Sequence, residues 1–186
     1  EIRISKERNQ EKDSSKSDKE LQENRSQNGK KTWIANQTRP DLLFDLCDLS
    51  SLSRNATVKE IFRINKIVTK VKAEKTILRF KKLDQIEKMK IIAYNDSSFR
   101  NLKNGGSQGG FIIYLADDNE NSVPIMWKSH KLRRVVKSAM AAETLEQVEV
   151  AESCYWLAYL LNEIFYLNPT QGKLAKIECK TDNHQL

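Results

Sequence analysis

From Ser138 to Tyr166 the chain runs SAMAAETLEQVEVAESCYWLAYLLNEIFY, 29 residues without a glycine or a proline. That stretch predicts one long helix, with Ser138 as its N-cap and NPTQGK as its end. Before it come three short apolar runs, IIAYNDSSF, FIIYLA and VPIMWKSH, separated by the turn-rich NLKNGGSQGG and DDNENS. After it, LAKIECKTDN alternates again. Strands joined by short turns pair antiparallel, whereas a strand that follows a crossover helix returns parallel to an earlier one. Residues 88–186 are therefore expected to be an α/β domain with a mixed sheet: three antiparallel strands, a crossover helix and a parallel fourth strand.

Upstream the period is helical. Pro40 and Asp41 suit a helix start, and Leu42, Leu43, Phe44, Leu46 and Leu49 make an apolar stripe to about Ser53. A second helix is expected from Thr57, with Val58, Ile61, Ile64, Ile67, Val68 and Val71 at helical spacing. The alternation of ILRFKKL, residues 77–83, suggests a short strand. Residues 1–30 hold only Ile2, Ile4 and Leu21 as apolar side chains, so the expectation there is disorder, with order beginning near Trp33. The domain reading is thus a disordered polar segment over 1–30, a helical segment over 31–84 and the sheet domain over 88–186.

Charge and cysteines narrow the class. The net charge is +7, and residues 59–90 carry eleven basic and four acidic side chains, a surplus equal to that whole charge. A second cluster, Lys128, Lys131, Arg133, Arg134 and Lys137, contains no acid. Two basic clusters around one domain favour a polyanionic partner, nucleic acid first among them. Three widely spaced cysteines, Cys47, Cys154 and Cys179, give no disulfide framework and no paired metal motif, which suits a reducing compartment. No apolar run reaches the ~18 residues of a membrane span, and residues 1–30 lack the apolar core of a signal peptide. Without an initiator methionine, the chain is expected to be a fragment.

Three carboxylates are the chemical candidates. Asp96 ends the first strand and Asp182 ends the fourth. If those strands are neighbours and parallel, both emerge at one sheet edge, where α/β folds place ligands. Glu143 lies early in the crossover helix behind Ala139, Ala141 and Ala142, small residues that let the helix approach the sheet. Clustered carboxylates repel one another. A divalent cation offsets that repulsion, and oxygen-only ligands select Mg²⁺ or Mn²⁺ over zinc.

YNDSSF, GGSQGGFIIYL, PIMWKSHKLRRVVKSAMAAET and KTDNHQL, in that order, resemble the ribonuclease H domain of copia-type LTR-retrotransposon Pol polyproteins. WIANQTRPDLLFDLCDLSS resembles the segment that closes the copia-type reverse transcriptase, so the resemblance covers residues 33–186. It implies a ribonuclease H-like fold, incomplete at its C-terminus, that hydrolyses the RNA strand of RNA/DNA hybrids during reverse transcription. Asp96, Glu143 and Asp182 match the family's first three metal-binding carboxylates, with Mg²⁺ or Mn²⁺ as cofactor. Lys128, Ser129, Lys131, Arg133, Arg134 and Lys137 would contact phosphates. The implied partners are an RNA/DNA hybrid and the rest of the Pol polyprotein, with no membrane. The implied location is cytoplasmic, in a retroelement particle, or nuclear, and not secreted. The chain departs from the pattern at Ser97–Ser98, and the family carries a fourth carboxylate on a later helix. The fragment alone is therefore expected to be inactive. The alternative is a non-catalytic nucleic-acid-binding remnant or an inactive piece of a decayed element.

Other residues take plainer readings. Trp33, Trp127 and Trp156 are expected in the core, and Glu146, Glu149 and Glu152 on a solvated helix face. His130 and His184 are lone histidines without an assigned role, and Cys154 is expected to be buried and inert. GGSQGG lacks the Lys-Ser/Thr and the following helix of a phosphate loop and is expected to be a hairpin turn.

Overall fold

The computed structural model describes residues 1–52, 57–84, 88–102, 105–165 and 175–182. The chain divides into two compact units, Glu1–Ile77 and Leu78–Leu186.

The first unit is helical: α1 (Lys6–Gln10), α2 (Asp18–Gln37), a 3-10 turn (Pro40–Leu42), α3 (Leu43–Ser51) and α4 (Val58–Ala73). Leu42, Leu43, Leu46 and Leu49 of the predicted stripe are buried whereas Phe44 is 51% exposed, and Val58, Ile61, Ile64 and Ile67 bury the inner face of α4. The expectation of disorder over residues 1–30 is corrected, because α1 and much of α2 lie there. Composition counts apolar burial, and this segment is held by polar means. Ser17 and Glu20 form a capping box at the start of α2. Arg8 reaches Glu20 at 2.9 Å and Ser14 at 2.7 Å. The segment before α2 also caps α4, as Ser14 and Lys12 accept from the amides of Val58 and Lys59 at 3.1 and 3.0 Å. Ile2, only 3% exposed, exchanges two 2.9 Å hydrogen bonds with the Asn65 side chain. Trp33 is 66% exposed on α2, contrary to its expected place in the core.

In the second unit no strand forms over 78–83, and Phe80 is 66% exposed. Ile77, the last residue of the first unit, is likewise irregular and exposed, so the expected 77–83 strand is corrected. The alternation of ILRFKKL has no described partner strand, and an isolated strand leaves its backbone groups unpaired.

The sheet itself follows the expected topology. β1 (Lys90–Ser98), β2 (Gln108–Ala116) and β3 (Ser122–Lys131) form the antiparallel part. After α5 (Ala139–Phe165), β4 (Lys176–Lys180) returns parallel to β1, giving the order β3-β2-β1-β4. Ser138 starts α5, its Oγ accepting from the Ala141 amide at 3.1 Å. Gly109 and Gly110 lie inside β2, not in the preceding turn. The expected helix end, NPTQGK, lies outside the described residues.

The two faces of the sheet differ. One face packs Ile91, Ala93, Phe111, Ile113, Leu115 and Val123 against Val150, Cys154, Leu157 and Ala158 of α5. At about 1.5–3 kcal/mol for each large apolar side chain, this is the main source of the unit's stability. On the other face, Ile92, Tyr94, Ile112 and Tyr114 line an open concavity of about 420 Å³. Tyr94 and Tyr114 meet edge to face at 6.1 Å, and the Lys180 ammonium lies 5.5 Å from the Tyr94 ring. Open apolar sheet faces bind hydrophobic probes. The chain is accordingly expected to enhance the fluorescence of an anilinonaphthalene dye, and Ile112→Lys should remove most of the signal. An unchanged signal in that variant would place the dye elsewhere.

Candidate functional site

Parallel pairing places the strand ends. Tyr94 of β1 is opposite Lys180 of β4, so Asp96 and Asp182 each lie two residues beyond that pair at one edge of the sheet. Both are exposed. Alternation sends Asp96 to the same face as Ile92 and Tyr94, and Asn95 and Ser97 to the face covered by α5.

On that covered face the core turns polar. Ser97 is opposite Gly109, and Gly109 is opposite His130, which forms a row across three strands. Glu146 of α5 comes down onto the row and is 0% exposed. A Cβ built on Gly109 would lie 1.8 Å from Glu146 Oε2, so the missing side chain makes the carboxylate's seat. Glu146 Oε2 lies 3.4 Å from His130 Nε2. Burial, and then the charge of Glu149, push the Glu146 carboxyl up to about 7. Burial, and then Lys128, hold His130 below its usual value.

Glu146 has no hydrogen-bond partner for either oxygen among the described residues, and its neighbours share that state. Glu143 Oε2, Gln147 Oε1, Ser97 Oγ and both polar atoms of Asn95 are buried without partners. Unsatisfied buried polar atoms are rare in folded proteins, and a concentration of them marks function or stored strain. Here oxygen acceptors dominate, and a hard divalent cation satisfies such acceptors, so the donor chemistry fits Mg²⁺ or Mn²⁺. Placement is a separate matter. Among the described residues no three His, Cys, Asp or Glu side chains are gathered closely enough to hold a metal ion. Asp96 and Asp182 share an edge and Glu143 is half-buried on α5, but the three are not brought together as a formed site.

The expectation that Glu146 belongs to a solvated face is corrected. Ala142, Glu146, Val150, Cys154 and Ala158 follow one another at four-residue steps, and all are buried. A carboxylate inside an apolar i, i+4 series was the available signal. Glu149 and Glu152 do lie towards the surface, and Glu149 pairs with Lys128. Trp156 is 58% exposed and not in the core. Cys154 is fully buried as expected, and burial pushes its thiol up to about 12, with Cys179 of β4 beside it. His184 lies outside the described residues.

The expected phosphate contacts divide in space. Lys131, Arg133 and Arg134 border a cavity of about 390 Å³ between the segment after β3 and α5. Lys128 also borders it but is committed to Glu149. Ser129 Oγ accepts from Gln108 Nε2 at 2.7 Å, and Lys137 is exposed. The cluster without acids in sequence faces Glu149 and Glu152 in space, because α5 folds back beside it. Among the described residues no helix is long and apolar enough to cross a membrane. Compared with known proteins, the chain matches no protein-family model and no curated protein sequence.

Proposed function

We propose that the second unit is the N-terminal part of a ribonuclease H-type nuclease from a copia-type retrotransposon Pol polyprotein, hydrolysing the RNA strand of RNA/DNA hybrids. The observation that carries this reading is the β1–β4 register, which sets Asp96 and Asp182 level at one edge of a β3-β2-β1-β4 sheet. Parallel strand ends are where α/β folds hold ligands. The unsatisfied oxygens of Glu143 and Glu146 on α5 are acceptors of the kind a divalent cation takes.

Asp96, Glu143 and Asp182 would hold Mg²⁺ or Mn²⁺, which when bound activates water and stabilises the leaving 3′ oxygen. The chain's other residues position the strand. Lys131, Arg133, Arg134 and Lys137 are outside the ion pairs of the described residues and can contact phosphates without reading sequence. Hybrid is distinguished from DNA by shape and the 2′-hydroxyl. A second reading, a nucleic-acid-binding module without catalysis, is favoured by one observation: the described carboxylates are not gathered into a metal-holding group.

A thermal titration separates the two. In millimolar Mg²⁺ or Mn²⁺ the chain should gain stability as RT ln(1 + [L]/Kd), about 2.7 kcal/mol at a hundredfold excess over Kd. Asp96→Asn should lose that gain while melting no lower without metal. Equal melting of the two proteins across the whole titration would remove the metal-site reading and leave the binding module.

A further inference from the structure

We propose that the outward face of α5, with the cavity at its N-terminal end, is a binding track for single-stranded nucleic acid. The cavity has an apolar wall, Leu132, Leu145 and Val148, and a cationic rim, Lys131, Arg133 and Arg134. Leu132 is 7% exposed, and its amide donates to Ser107 O at 2.9 Å, so the wall is anchored to the start of β2. Beyond Val148 the outward side of the helix carries Glu152, Tyr155 and Tyr159 at steps of three or four residues, with Trp156 adjoining Tyr155 and three residues before Tyr159. Those three aromatics are 57%, 58% and 57% exposed. Single exposed aromatics are ordinary, but a contiguous stripe of them marks an interaction surface.

Charge and geometry choose the occupant. Cations gathered at one end of an aromatic stripe complement a strand that carries both phosphates and open base faces. From Val148 to Tyr159 the helix rises roughly 16 Å, room for about three nucleotides. Bases stack on aromatic side chains with little regard to sequence, and phosphates follow the basic rim. Duplex or hybrid bases are already stacked and cannot use the stripe. Lys128 offsets the charge of Glu149, and Glu152 at the cavity is placed to accept from a base amino group. The carboxylate edge has no part in this track, so a strand binds here whether or not the chain cleaves anything.

The test is fluorescence anisotropy of a labelled six-nucleotide single-stranded DNA with the full chain, in EDTA at low salt. Binding is expected, and the double variant Trp156→Ala/Tyr159→Ala should weaken it at least tenfold. Trp156→Phe, which keeps a stacking face, should stay within about threefold of the unsubstituted chain. Arg133→Ala/Arg134→Ala should reduce the slope of log K against log [salt] by more than one unit, since each phosphate contact on a single strand contributes ~0.7. An abasic strand of the same length should bind at least tenfold more weakly. Circular dichroism confirms that each variant keeps its helix. Equal affinity for the abasic strand, equal or tighter binding of a hairpin duplex, no binding at low salt, or an effect of Trp156→Ala/Tyr159→Ala below twofold would each overturn the track. Because EDTA removes divalent metal, failure here is distinct from failure of the hydrolytic reading.

Discussion

Gly109→Ala is expected to lower the melting temperature by roughly 10 °C. Gly109 is outside the set of glycines with positive φ among the described residues, so backbone conformation is not the reason. The reason is space. The added Cβ would lie 1.8 Å from Glu146 Oε2, so the fully buried carboxylate must shift to admit it. Overpacking of this kind typically costs 1–3 kcal/mol, and displacing a buried carboxyl puts the expected loss at about 3. A double-mutant cycle separates contact from context. In a Glu146→Ala background the same glycine substitution should cost less than about 0.5 kcal/mol, leaving a coupling energy above 1 kcal/mol. Equal costs in the two backgrounds would show that Glu146 does not sit against Gly109.

Glu146→Gln is expected to stabilise the chain above pH 7 and to flatten its pH dependence below. Burial raises the carboxyl from 4.5 to about 7, so between those values the folded chain holds a proton that the unfolded chain has released. Stability from this group therefore falls as pH rises from about 4.5 to 7 and is level above. At about 1.4 kcal/mol per unit, the whole window is worth at most about 3.5 kcal/mol. His130 acts with the opposite sign. Its folded value is lowered, so its contribution is present above its unfolded value and is lost as pH falls. The two overlap and, at 3.4 Å, are coupled, so the difference between the unsubstituted and Glu146→Gln melting curves reports the Glu146–His130 pair. A difference that does not vary between pH 4.5 and 8 would mean that Glu146 titrates in the open.

Much of the sheet domain was legible before the fold was known. The three turn-separated runs and the unbroken stretch to Tyr166 required a hairpin sheet followed by a crossover helix, and β1 to β4 and α5 lie where that pattern put them. Local periodicity carries this information because backbone hydrogen bonding and one-sided burial act within each element. Residues 1–30 were misread for the complementary reason. Capping, the Arg8 ion pairs and the Ile2–Asn65 exchange depend on partners far along the chain, and no composition count registers them.

The candidate site divides along the same line. By itself the sequence determined that Glu143 would lie early in a helix and that Asp96 would lie near the end of a strand, although β1 runs on to Ser98 with Asp96 paired opposite Gly110. It also determined that a basic cluster would precede that helix. Only the tertiary structure decided that β4 lies beside β1, which sets Asp182 level with Asp96. It alone put Glu146 in the core over Gly109 and left Trp156 on the outer face of α5. Which side of a long helix meets a sheet depends on how closely two surfaces can approach. A missing side chain on β2 admits a carboxylate on α5 only once strand register has brought the two together.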